Sequence, residues 1–108
     1  MSAARVIASF RRAELPEARV LPVIHPPGHL VVVRVGGRVF ALDHACCHGG
    51  ASLLNGQVRG ATITCRAHGY CFDLASGAMI TPKGESLCQG TWPVERRGEA
   101  WVVLEREG

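Results

Sequence analysis

Apolar residues along this chain fall into short runs, each closed by glycine, proline or charged residues. "RVIASF" (5–10) and "RVLPVI" (19–24) come first. "HLVVVRV" (29–35) and "RVFALD" (38–43) follow, separated only by Gly36-Gly37, a two-residue hairpin signature. "GQVRGATITC" (56–65), "YCFDL" (70–74), "GAMIT" (77–81), "TWPVERR" (91–97) and "AWVVLE" (100–105) complete the series. Asn55-Gly56, Ser76-Gly77, Lys83-Gly84 and Arg97-Gly98 divide them, because glycine takes the positive φ of tight turns. Only "FRRAELPEAR" (10–19) has room for a helical turn, and Pro16 limits it. The pattern predicts one all-β domain of sandwich or small-barrel type.

Length and composition agree with that reading. A chain of 108 residues suffices for one modest core. A hydrophobic share of 47% with 19% charged residues is that of an ordinary globular domain. No apolar run approaches a membrane span, and the N-terminus lacks the regions of a secretory signal. Five cysteines, an odd number, suit thiols or metal ligands better than a disulfide framework, so a cytoplasmic protein is expected. The net charge of +3 is weak, and the arginines are scattered along the chain, so neither nucleic acid nor a membrane is expected as partner.

The chemistry concentrates in "CCHGGASLLNGQVRGATITCRAH" (46–68), which holds Cys46-x-His48 and Cys65-x-x-His68 with sixteen residues between the pairs. Each pair falls in a loop at a strand end and offers one thiolate and one imidazole. Zinc fingers usually draw two cysteines from one turn and two histidines from one helix. Here the order is Cys-His-Cys-His, with a single residue between Cys46 and His48. Such neighbours ligate two adjacent ions more easily than one. A binuclear cluster permits the sorting: Cys46 and Cys65 on one iron, His48 and His68 on the other. A zinc-stabilised binding module is the competing reading.

"CCHGGASL" and "CRAHGYCFDLASG" resemble the two cluster-binding boxes of Rieske proteins. The likeness extends to "GGRVFALD" and "WPVERRGEAWVVL" and covers nearly the whole chain. In size and layout it is similar to the soluble, low-potential Rieske-type 2Fe–2S ferredoxins of bacterial oxygenases. The resemblance implies a Rieske-like antiparallel fold in one domain, 1–108. Its basal part would span about 4–44 and 83–105, and its cluster-binding part, with two hairpin loops, about 45–82.

The resemblance also implies one Rieske-type 2Fe–2S cluster on Cys46, His48, Cys65 and His68. Cys47, Gly49, Gly50, Gly69, Tyr70 and Pro82 would surround it, Pro82 in the third loop "ITPKG". Family members of high potential carry an extra cysteine in each box; Ala51 and Ala67 stand there, so that disulfide is absent. Tyr70 and Phe72 occupy positions where those proteins place serine and tyrosine hydroxyls that donate to sulfur. Fewer donors leave the reduced cluster less stabilised, which implies a potential of about −150 mV.

By the same resemblance, the chain is an electron carrier and not itself an enzyme. A reductase fed by NADH or NADPH would reduce it, and it would pass electrons to a terminal oxygenase of the aromatic-ring dioxygenase type. The encounters would be transient and the protein a monomer, with Arg66 and Lys83 as candidates for docking. A small Rieske-like subunit of an assimilatory nitrite reductase is the alternative. The remaining residues have bland readings: Cys47 as loop filler, Cys71 and Cys88 as small buried hydrophobes, and His25 and His29 exposed beside a Pro-Pro-Gly turn. His44, near the first box, has no counterpart in the ligand set.

Overall fold

The computed structural model describes residues 4–47, 49–81 and 89–106, and its strands follow the apolar runs. They are β1 (Val6–Arg11), β2 (Val20–Val23), β3 (Leu30–Val35), β4 (Arg38–Asp43), β5 (Gln57–Arg59), β6 (Thr62–Thr64), β7 (Cys71–Asp73), β8 (Met79–Thr81), β9 (Thr91–Trp92), β10 (Val94–Arg97) and β11 (Ala100–Leu104). Three sheets result, in the orders β1-β11-β10, β2-β3-β4-β9 and β5-β6-β7-β8. All these strand pairings are antiparallel. Among the described residues no helix is long and apolar enough to cross a membrane.

The β2-β3-β4-β9 sheet is the middle layer. Alternate residues of β3 and β4 serve two separate cores. Val31, Val33, Phe40 and Leu42 pack with Cys46, Leu53, Ile63, Cys65, Phe72 and Leu74. Leu30, Val32, Val39 and Ala41 pack with Leu15, Val23, Trp101 and Val103. A sheet buried on both faces has no polar side to show, which is why "LVVV" runs without alternation. The predicted Gly36-Gly37 hairpin joins β3 to β4, with Val35 paired to Arg38 and Gly36 at φ 61.

Three details depart from the predicted elements. "GQVRGATITC" is two strands folded on a tight turn at Gly60, whose φ is 54. "TWPVERR" is cut at Pro93: β9 pairs with β4, while β10 crosses to β11 in the other sheet. Proline lacks the N–H that a continuous ladder needs, so the strand changes partner there. A 3-10 turn at Leu53–Asn55 was not expected; the Ser52 hydroxyl caps it by accepting from the Leu54 N–H at 3.1 Å. The helical turn expected before Pro16 is a 3-10 turn at Arg12–Glu14.

Arg34 is a buried charge in β3, 7% exposed. Its Nε donates to the Leu15 carbonyl at 2.6 Å, and its Nη1 donates to the Gly36 carbonyl at 2.7 Å and to Glu17 at 3.1 Å. The side chain thereby ties the segment after β1 to the middle sheet. Arg34→Met keeps the volume but leaves the buried Leu15 carbonyl unpaired, a cost of about 1–3 kcal/mol. Urea denaturation should show that loss; an unchanged midpoint would mean that the Arg34 contacts contribute nothing.

Candidate metal centre

The two cysteine-containing loops close by the same pair of backbone hydrogen bonds. In the first, the Cys46 N–H donates to the Ala51 carbonyl at 2.7 Å and the Gly50 N–H donates to the Cys46 carbonyl at 2.9 Å. In the second, the Cys65 N–H donates to the Tyr70 carbonyl at 2.8 Å and the Gly69 N–H to the Cys65 carbonyl at 2.9 Å. The repeat puts a glycine four residues after each cysteine, and Gly50 and Gly69 sit at φ 79 and 71. Space is open around both, so the left-handed backbone, not crowding, selects glycine. Gly49 precedes Gly50 at φ 107.

Cys46 and Cys65 are buried, at 3% and 0% exposure, in one apolar core. His68 is exposed, its ring edge-on to Tyr70 at 6.4 Å. Sulfur thus points inward and imidazole outward. Cys46, Cys47, Cys65 and Cys71 form no disulfide. His48, Pro82, Lys83 and Cys88 lie outside the described residues.

Sequence reasoning missed the strut behind the first loop. Gln89 is 1% exposed, and its amide grips three points of that loop. Its Oε1 accepts from the Cys47 N–H at 2.7 Å; its Nε2 donates to the carbonyls of Asp43 at 2.9 Å and Ala45 at 2.8 Å. Its own N–H donates to the Gly77 carbonyl at 2.8 Å, which links the loop to the turn after β7. A Cβ on Gly77, itself at φ +77, would collide with the Gln89 carbonyl oxygen. Nothing in the local pattern "SLCQG" marks this residue; a glutamine is ordinarily a surface residue.

The other expected residues fall as follows. Cys47 is exposed, Tyr70 is half-buried against the core, and Cys71 is half-buried in β7, not fully buried as expected. His29 is exposed; His25 is half-buried, its ring 5.5 Å from that of Trp92. His44 hydrogen-bonds through Nε2 to the Ser52 hydroxyl at 2.8 Å and helps set the base of the first loop. Arg66 is exposed, with its Nε donating to the Asn55 carbonyl. In the turn after β7, hydrogen bonds from the N–H and hydroxyl of Ser76 hold the Asp73 carboxyl below its ordinary 3.8. That contribution to stability is therefore complete at neutral pH and is lost as pH falls through the lowered value.

As metal ligands the two buried cysteines would be thiolates, and the bound metal would supply the positive charge that their burial requires. In a two-iron cluster each iron takes only two protein ligands, and two cysteines buried in one core beside an exposed His68 fit that donor set.

Comparison with known proteins agrees. The profile of the Rieske [2Fe-2S] domain matches residues 6–106. The ferredoxin component of the naphthalene 1,2-dioxygenase system of Pseudomonas aeruginosa is 33% identical over 91 residues, covering 83% of this chain and 86% of that protein. Among solved structures, the Sphingomonas yanoikuyae B1 ferredoxin superposes with a TM-score of 0.80 at 29% identity, over 95% of this chain and all of that one. A chain in the complex of reduced oxygenase and oxidized ferredoxin in carbazole 1,9a-dioxygenase gives 0.77 at 26%, over 95% of this chain and 100% of that one.

Replacing Gln89 by leucine removes the three side-chain hydrogen bonds that hold residues 43–47. Each buried group left unpaired costs about 1–3 kcal/mol. The variant should lose its visible absorption at a lower temperature than the parent. Identical bleaching curves would show that Gln89 does not support the loop.

Proposed function

The chain belongs to the Rieske [2Fe-2S] domain family and carries that family's Rieske-type 2Fe–2S cluster, and we propose that it is a one-electron carrier between an NAD(P)H-dependent reductase and a terminal oxygenase. Cys46 and Cys65 hold one iron, and His48 and His68 the other. One observation carries the ligand assignment: both cysteines are buried under identically closed loops, whereas His68 reaches the surface. When bound, the cluster takes up and releases a single electron.

The protein's own residues supply rigidity and direction. Four backbone hydrogen bonds fix the loops, and the Gln89 amide braces the first of them. The sulfur side is sealed by Leu42, Leu53, Ile63 and Phe72, so water is kept from it. The exposed His68 side is then the path to a partner. All four ligands are protein side chains, so we assign no catalytic residue. Phe72, fully buried, has no hydroxyl to donate to sulfur, which supports a low potential.

We take residues 1–108 as one domain, with a basal part at about 4–44 and 83–105 and a cluster-binding part at about 45–82. Support comes from the β5-β6-β7-β8 sheet, which falls within the second part. The similar ferredoxin captured with its oxygenase supports an oxygenase as recipient. The protein acts as a cytoplasmic monomer in transient encounters, with Lys83 and the exposed Arg66 at the docking surface.

Iron and acid-labile sulfide should be present in equal amounts, and the reduced protein should give an electron paramagnetic resonance spectrum of low average g. The midpoint should lie at about −150 mV, and His48→Ala or His68→Ala should abolish the visible bands. Absence of inorganic sulfide, or bands untouched by either substitution, overturns the assignment. A midpoint well above zero overturns the low-potential reading alone. Arg66→Glu should slow turnover of a reconstituted reductase–oxygenase chain while the cluster spectrum stays constant; unchanged turnover removes Arg66 from the docking surface.

A further inference from the structure

A cleft of about 680 Å³ opens beside β4, and its origin is the strand change at Pro93. β9 pairs with β4 only at Ala41 and Leu42, after which β10 departs to join β11. The edge of β4 from Arg38 to Phe40 is thereby left without a paired strand on that side, among the described residues. Three arginines line the cleft, and no acidic side chain does.

Each of these arginines is seated on an aromatic ring. The guanidinium carbon of Arg38 lies 4.8 Å from the Phe40 ring centre, that of Arg96 4.9 Å from Trp101, and that of Arg106 4.2 Å from Trp92. Stacking of this kind preorganises the guanidinium, so less freedom is lost when it binds. Arg106 also pairs with Asp43 at 3.1 Å. Arg38 and Arg96 are exposed and make no close ion pair among the described residues; Arg38 lies near enough to the Asp73 carboxylate to help hold its pKa down, and Arg96 Nε donates to the Gly98 carbonyl at 3.3 Å. The charges are spread out: Arg38 starts β4 and the Asp43–Arg106 pair ends it, about 16 Å away at strand rise.

We propose that the cleft between β4 and β10 receives an extended acidic segment of a partner protein, whose carboxylates meet Arg38 and Arg96. A compact anion would need donors that converge on one point, and these sit on three different rings, carried by β4, β10 and the segment after β11. An extended chain of about five residues matches the span. Single-stranded nucleic acid fits less well: Phe40 and Trp101 are 8% and 4% exposed beneath their arginines, and the half-buried Trp92 already carries Arg106 at 4.2 Å and the His25 ring at 5.5 Å. The cleft is separate from the Arg66 surface, and the proposal stands apart from the cluster assignment.

The probe is fluorescein-labelled hexaglutamate, titrated into the holoprotein at low salt and followed by anisotropy. Trp92 and Trp101 are the chain's two tryptophans, and both line the cleft, so tryptophan emission reports occupancy there. Saturable binding with a change in emission is expected, weakened roughly tenfold in Arg38→Glu/Arg96→Glu. Arg38→Lys/Arg96→Lys should bind with intermediate affinity, since charge is kept and stacking reduced. Arg5→Glu/Arg19→Glu alters two exposed arginines outside the cleft by the same total charge and should leave affinity within twofold or so. No saturable binding, equal weakening by both glutamate pairs, or tighter binding of a single-stranded oligonucleotide of equal charge overturns the proposal. Visible spectra of the same samples keep the two questions apart, because an intact cluster with no peptide binding removes only the cleft.

Discussion

Two cysteine side chains in the floor of an apolar core set the terms for this fold. On the proposed ligand assignment both become thiolates, tolerated there only beside the positive charge of the metal, which requires that both sulfurs arrive together. The chain meets that requirement by building one loop twice. Each cysteine donates its N–H five residues ahead and accepts from a left-handed glycine four residues ahead. The middle sheet supplies the floor, since Val31, Val33, Phe40 and Leu42 pack against the same cluster of side chains as both sulfurs. The second core, on the other face of that sheet, holds the basal strands in place without touching the sulfurs.

The strand pattern and the two closed cysteine loops were legible in the sequence, because both rest on local signals. The Gly36-Gly37 hairpin, the short apolar runs and the two Cys/His pairs each sit within a few residues. What escaped the sequence depends on contacts between distant segments. Gln89 braces residues 43–47 from more than forty positions away, and no periodicity announces a buried amide. Arg34 was visible only as an interruption of an apolar run, although its three acceptors make it part of the core. The turn at Leu53–Asn55 depends on the Ser52 cap and on a hydrogen bond from Leu53 N–H to the His44 carbonyl, a pairing set by tertiary packing.

Charge was legible in amount but not in placement. Along the chain the arginines look evenly scattered; in space they sort by task. Arg34 is structural, Arg97 pairs with Glu95 at 3.2 Å, and Arg66 leans on the Asn55 carbonyl. Arg38, Arg96 and Arg106 collect along one cleft, each on its own aromatic ring. Sequence distance hid this because the three come from β4, β10 and the segment after β11, brought together only by the fork at Pro93.

The same fork connects the cleft to the metal loops. Asp43 ends β4 and accepts from the Trp92 indole N–H at 2.8 Å, while its carbonyl is held by Gln89. Trp92 in turn carries the Arg106 guanidinium, and Gln89 holds the Cys47 N–H. Side chains at the near end of the cleft are thus three hydrogen-bonded steps from the residue beside Cys46. A rigid tie of this kind lets one end of the domain be gripped without loosening the other. An electron carrier needs that separation, because binding must position the cluster while leaving its surroundings as they were.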